Sequence, residues 1–264
     1  MLKNIKMKNI NLNLDDEFFE KKIIVTGASR GLGAVLCQIL SQKGARVALF
    51  SRSIVEMNLI KKKMLNPNNH ISVKIDLNNI HEIKNDYKKA KKFLKEIDII
   101  IHVAGGGFGL KNALIKNSDL NTLLKVNLLS AIELNREAVM HKSKKKNLKL
   151  IHVGSIASSE AVGSVGYNLS KAALCSYVRS IGRELYKSNV LVTGILPGGF
   201  IAPGNAMERF KFKNNKEYKK FIQNRLPRGR MGEVEEILPV LLFLCSKYSS
   251  MMGGCMIPVD AGEG

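Results

Sequence analysis

Seven short runs of β-branched and other apolar residues recur along the chain: Ile23–Thr26, Arg46–Phe50, Ile71–Ile75, Asp98–Val103, Lys149–Val153, Val190–Ile195 and Met256–Val259. They show no alternation of apolar and polar residues, so each reads as a strand covered on both faces. Between them lie longer stretches with apolar residues three and four apart: Ala34–Lys43, Leu120–His141, Ala172–Tyr186 and Val234–Leu244. Strand, helix, strand repeated in this way builds a parallel sheet with helices on both faces. No Pro/Gly/Ser-rich linker interrupts the rhythm, and 264 residues suit one α/β domain. The expected architecture is a single doubly wound domain over residues 21–264, with a seven-stranded parallel sheet and residues 1–20 as an N-terminal extension. Only Gly204–Arg230 departs from the rhythm; long, polar and basic, it reads as a loop of the lid or binding type.

Charge narrows the partners. Lys and Arg number 42 against 22 Asp and Glu, a net +20. Runs such as Lys61–Lys63 and Lys144–Lys146 lack interleaved aromatics and read as solvated surface, with attraction of an anionic ligand as the alternative and no nucleic acid expected. The longest apolar run, Ile237–Cys245, contains Pro239 and falls well short of the ~18–20 residues of a membrane span. The N-terminus lacks a continuous apolar segment of the secretory kind, so a cytoplasmic protein without membrane association is expected. Cys37, Cys175, Cys245 and Cys255 stand far apart in apolar stretches, as buried thiols do, and no metal site is expected.

The first strand runs straight into Thr26-Gly27-Ala28-Ser29-Arg30-Gly31-Leu32-Gly33, and a helix follows. Glycines there allow positive φ and close approach of backbone to a pyrophosphate, while the helix N-terminus offers free N–H groups. Strand, glycine-rich turn and helix at the start of a parallel sheet predict dinucleotide binding on a Rossmann fold. Just past the second strand the chain reads Phe50-Ser51-Arg52, with a cation where NAD enzymes carry an acid. With Arg30 as a second cation in reach of a 2′-phosphate, the reading is NADP (NADPH).

Tyr167 and Lys171 form a YxxxK pair, and i, i+4 spacing puts both on one helix face. An ammonium nearby would favour the phenolate and lower a pKa that is near 10 in water. A Ser-rich loop, Gly154–Ser159, precedes the pair.

The GxxxGxG spacing after a strand, together with YxxxK, resembles the compact branch of the short-chain dehydrogenase/reductase family, and the likeness runs from about Lys21 to Gly262. What the resemblance implies is a catalytic tetrad of Asn127, Ser155, Tyr167 and Lys171. In it the serine bonds the substrate oxygen, and the asparagine holds a relay water against the lysine. The implied cofactor contacts are Gly27, Ser29, Arg30, Gly31, Leu32, Gly33, Arg52, Asp76, Leu77, Ala104, Gly105, Tyr167, Lys171, Pro197, Gly198 and Phe200. Ser158 is a weaker candidate for the serine role. Two departures stand out: His102-Val103-Ala104-Gly105 where the family usually has Asn-Asn-Ala-Gly, and Ala202 in the nicotinamide segment where a Thr is common. His102 reads as a packed strand residue. The interval from Ser155 to Tyr167 is 12 residues, one fewer than in the commonest members.

The expected function is NADP-dependent interconversion of a carbonyl and a secondary alcohol, on a small-molecule or thioester substrate. Among family members the chain looks most like 3-oxoacyl-acyl-carrier-protein reductases; a keto-sugar reductase or dehydrogenase and a non-catalytic NADP-binding sensor are the alternatives. The resemblance also implies a homotetramer or homodimer.

Overall fold

Neighbouring residues of the first strand, Lys22–Thr26 (β1), serve opposite sides of the sheet. Ile23 and Val25 enter one apolar cluster and Ile24 enters the other. Ile99 and Ile101 divide from Ile100 in the same way. That is the two-residue period of a strand buried on both faces, which is why its sequence shows no polar alternation.

The computed structural model describes residues 13, 14 and 16–264. After β1 follow α1 (Gly31–Gln42), β2 (Arg46–Ser51), α2 (Ile54–Lys62), β3 (Ile71–Lys74), α3 (Ile83–Leu94), β4 (Ile99–His102) and α4 (Asn117–Leu124). The chain continues through α5 (Ser130–His141), β5 (Leu148–Val153), α6 (Val165–Leu185), β6 (Val190–Pro197) and β7 (Phe200–Ile201). It ends with α7 (Ala206–Lys213), α8 (Asn215–Arg225), β8 (Gly232–Glu233), α9 (Val234–Cys245) and β9 (Met256–Val259). The main sheet has seven parallel strands in the order β3-β2-β1-β4-β5-β6-β9. This is the doubly wound Rossmann architecture expected from the strand–helix alternation. The order reverses between β1 and β4, which opens a crevice beyond their carboxyl ends.

One expectation is corrected. Residues 204–230 are not a loop but hold two helices, α7 and α8. Asn205 caps the first by accepting from the Glu208 amide (2.8 Å), and Glu208 reaches back to the Gly204 amide (2.6 Å). Asn214 caps the second through the Glu217 amide (3.2 Å). The pair has its own small core of Tyr218, Leu226 and Met231, packed with Phe210, Phe221 and Ile222. A two-stranded parallel sheet of β7 and β8 lies beneath it.

Of the expected N-terminal extension, residues 1–12 and 15 lie outside the described residues; Phe18 is fully buried in the main core. No helix among the described residues is long and apolar enough to cross a membrane. Lys62, Lys63 and Lys144–Lys146 are exposed. Cys37, Cys175 and Cys245 are buried free thiols, and Cys255 is half-buried.

Candidate active site

At the reversal point, the β1–α1 turn is held against the end of β4 by a threonine. The Thr26 hydroxyl oxygen accepts from the amides of Val103 (3.1 Å) and Ala104 (3.2 Å). Gly27 turns at φ +70°, and a Cβ there would lie 2.9 Å from the Ala104 nitrogen, so only glycine fits between the two strand ends. A Cβ at Gly33 would lie 2.4 Å from the Gly27 carbonyl, which explains the last glycine of the motif by helix-to-turn packing. Helix α1 has no side-chain cap and no acid in its first turn. Gly31 N–H donates to Pro203 O (2.7 Å) and Ala34 N–H to Arg30 O (3.4 Å), leaving Leu32 and Gly33 as the open N-terminal donors.

At the far end of this crevice Ser51 donates to Ser29 (2.8 Å), joining the end of β2 to the turn. Arg30 and Arg52, one on each side of that bond, are exposed, and neither forms an ion pair among the described residues. Asp76 is exposed and accepts from the Asn78 amide (3.0 Å), while Leu77 beside it is half-buried. The donor set fits a dinucleotide with an extra phosphate: helix N–H groups over positive-φ glycines for the pyrophosphate, and two unengaged guanidinium groups beyond it.

The four tetrad candidates arrive from three elements. Asn127 sits in a π-helical turn, Lys125–Leu129, that makes α4 and α5 one bulged helix. Its Oδ1 accepts from Gly106 N–H (2.9 Å), and its Nδ2 donates to Gly106 O (3.1 Å) and Leu123 O (2.9 Å). Ser155 follows β5 and opens a 3-10 turn, Ile156–Ser158. Tyr167 and Lys171 occupy the first turns of α6. Lys171 is buried and donates to Val153 O (3.0 Å) at the end of β5. Gly105 separates the two halves of the group: a Cβ there would lie 2.7 Å from Asn127 Oδ1 and 3.2 Å from Lys171 Nζ. Ser158 points elsewhere, bonding Cys175.

Electrostatics run differently from the sequence expectation. Burial raises the Tyr167 phenol, and a hydrogen bond from Ser155 only partly offsets it. Burial also lowers Lys171 to about 8, with its Nζ 5.8 Å from the centroid of the Tyr167 ring. In the free protein desolvation therefore outweighs the ammonium, and the phenol is held in its protonated form at neutral pH.

The nicotinamide segment continues β6. Gly198 N–H donates to Val259 O (3.1 Å), and Glu263 accepts from the Gly199 amide. Phe200 is half-buried in β7, and its carbonyl accepts from Asn205 Nδ2 (2.9 Å). Glu263 also pairs with Arg225 (3.4 Å), which donates onward to Val162 O. Thr26, Gly106 and Glu263 are contributors the sequence reading did not single out. Thr26 lies inside the phosphate-turn motif and Gly106 directly follows His102–Gly105, whereas the Val153 and Pro203 carbonyls have no signature in any side chain.

The family model described as enoyl-(acyl carrier protein) reductase matches residues 27–263. The chain is 30% identical over 247 residues to a 3-oxoacyl-[acyl-carrier-protein] reductase of Buchnera aphidicola subsp. Baizongia pistaciae, covering 92% of this chain and 97% of that one. The corresponding reductase of Aquifex aeolicus is 27% identical over 248 residues, covering 92% and 96%. Among solved structures, a 3-oxoacyl (acyl-carrier-protein) reductase from Agrobacterium tumefaciens with NADP bound superposes with a TM-score of 0.83 at 23% identity, over 95% of this chain and 98% of that one. A family match that extends from the phosphate turn to the last residues places the chain in the short-chain dehydrogenase/reductase family, where it resembles the 3-oxoacyl-acyl-carrier-protein reductases.

Proposed function

We propose that the protein is an NADP-dependent oxidoreductase that reduces a carbonyl to a secondary alcohol, on a 3-oxoacyl thioester or a compound like it. The observation that carries the reading is the convergence of a buried lysine, a protonated tyrosine, a serine and a fixed asparagine beside a dinucleotide-shaped crevice. NADPH, when bound, supplies hydride to the carbonyl carbon. Leu32, Gly33, Arg30 and Arg52 would hold its phosphates, and Lys171 its nicotinamide ribose.

The chain's own residues manage the oxygen. As negative charge develops there, Tyr167 donates its phenolic proton and Ser155 donates a hydrogen bond to the same atom. The raised phenol suits this direction, because the proton is present to be given at neutral pH. Lys171, charged below about pH 8, stabilises the phenolate left behind. Asn127 fixes the Gly105–Gly106 backbone and keeps the space between itself and Lys171 clear for a relay water.

Oxidation of NADPH against acetoacetyl thioesters and a panel of keto-sugars tests this reading. Turnover of the thioesters is expected; turnover of keto-sugars alone would move the substrate class, and none with either would end the proposal.

A pH profile follows from Lys171. Its charged form is lost as pH rises through about 8, so kcat/KM for reduction is expected to be level below that value and to decline above it. A profile that stays level for more than one further pH unit would remove Lys171 from this role.

We place the active form as a homodimer or homotetramer in the cytoplasm. Leu129, Val165 and Leu169 are exposed on the bulged α4–α5 helix and on α6, an apolar strip suited to a second copy. Light scattering at micromolar concentration is expected to give a multiple of 29.2 kDa; a monomer mass refutes it.

A further inference from the structure

Beneath the four candidate residues lies a polar group that the reaction above does not use. His102 and His152 are paired across β4 and β5, their rings stacked 4.4 Å apart at 7°. His102 Nε2 lies 2.7 Å from Asn135 Oδ1, while Asn135 Nδ2 lies 3.2 Å from His152 Nε2 and 3.0 Å from the Tyr177 hydroxyl. Asn135 and His152 are fully buried, and His102 is nearly so.

With the Asn135 amide oriented as in this structure, donors and acceptors match in one way. The amide oxygen of Asn135 must accept, so His102 carries its proton on Nε2. The amide nitrogen must donate, so His152 accepts at Nε2 and carries its proton on Nδ1. That Nδ1 has no partner within the protein. A buried donor left unmatched costs stability, and leucines in these places would avoid the cost. A polar group kept at such a cost under a reaction centre is placed where function overrides stability.

Its position says what it does. His102 lies three residues before Gly105, and His152 directly precedes Val153, the acceptor of Lys171, and lies three before Ser155. Asn135 is on α5, the continuation of the bulged turn that holds Asn127. Tyr177 is on α6, the helix of Tyr167 and Lys171. We propose that His102, Asn135, His152 and Tyr177 form a positioning network that sets the relative placement of the three tetrad-bearing segments and of the Gly105 turn that lies between them.

Burial holds both imidazoles below the usual histidine range, His102 at about 4. The groups facing His152 are the His102 ring and the Lys171 ammonium, both of which oppose its protonation. The pair is thus neutral and its hydrogen bonds keep their direction across the neutral range.

The proposal rests on the reductase reading, and its test has one arm that does not. In long-range 15N correlation spectra of the intact protein, His102 is expected to be neutral and protonated at Nε2, and His152 neutral and protonated at Nδ1. The same tautomer on both rings, or titration of either near neutral pH, would overturn the network; both tautomers reversed would support it with the Asn135 amide turned over. In the kinetic arm, His152→Leu is expected to slow single-turnover reduction at least about tenfold, with NADPH affinity changed by less than about twofold. His152→Gln, whose amide oxygen can accept from Asn135, is expected to keep more than about a third of the rate. A folded, NADPH-binding His152→Leu protein at the wild-type rate would refute the positioning role. If that variant does not fold, Tyr177→Phe decides, since it removes one hydroxyl: slowing of about threefold is expected, and none counts against the proposal. A wild-type protein that reduces no carbonyl would end the reductase reading while leaving the imidazole result intact.

Discussion

Tyr167→Phe is expected to lower carbonyl reduction by ~10²–10⁴ while leaving NADPH affinity almost unchanged. The change deletes one hydroxyl and keeps the ring, so packing against Gly107, whose Cβ position lies 3.7 Å from the Tyr167 side chain, is preserved. What is lost is the proton donor. The phenol is raised by burial, so it is protonated before substrate arrives. That proton does not help hold a dinucleotide in the ground state, which is why the effect falls on kcat. Lys171→Ala is the contrasting variant: with the roles proposed for it toward both the phenol and the ribose, it should weaken turnover and cofactor affinity together. Retention of more than about a tenth of wild-type turnover by Tyr167→Phe, with chemistry rate-limiting, would remove it as the acid.

The second large effect concerns the cofactor's third phosphate. NADPH is expected to bind at least about tenfold more tightly than NADH, and Arg52→Asp to abolish or reverse the preference. One charge-assisted bond is worth roughly 1.5–3 kcal/mol, and tenfold needs about 1.4. Arg30 and Arg52 are exposed, which puts each near the low end, but they flank the Ser51–Ser29 bond and lie in reach of one group. Replacing Arg52 by an acid removes one cation and adds repulsion, so this single change exceeds deletion of either arginine. Equal affinities for the two dinucleotides by fluorescence titration would refute the assignment.

The sheet was readable because strands buried on both faces carry little else but apolar residues, and all seven formed at the expected places. The phosphate turn was equally readable: Gly27 and Gly33 are required by distances under 3 Å that no other residue tolerates. Residues 204–230 were misread for a physical reason. Their helices bury little, no residue of α7 and Tyr218 of α8, so polar and basic residues dominate and the apolar period is faint. A local signal was nevertheless present: Asn205 with Glu208, and Asn214 with Glu217, have the spacing of helix N-caps. The direction of the Tyr167 shift was misjudged because sequence shows which charge is near but not how much water is removed. His102 was correctly read as packed in its strand. Its stack on His152 depends on register between β4 and β5, and its bond to Asn135, 33 residues away, on the packing of α5; neither had a signal in the chain.

The bond from Gly31 N–H to Pro203 O joins the phosphate turn to the chain that leads into α7. The two stretches run close together: a Cβ at Gly31 would lie 3.4 Å from Asn205 Cβ, and one at Gly204 would lie 3.4 Å from Arg30 Cβ. The two halves of the crevice are therefore not independent. A change at Pro203 or Gly204 disturbs the dinucleotide's anchor even if its purpose is to reshape the substrate pocket. Conversely, whatever tightens the turn around a pyrophosphate also steadies the entrance on the opposite side. Natural variation in this short stretch would then trade breadth of substrate against grip on the coenzyme, and the two traits would evolve as one.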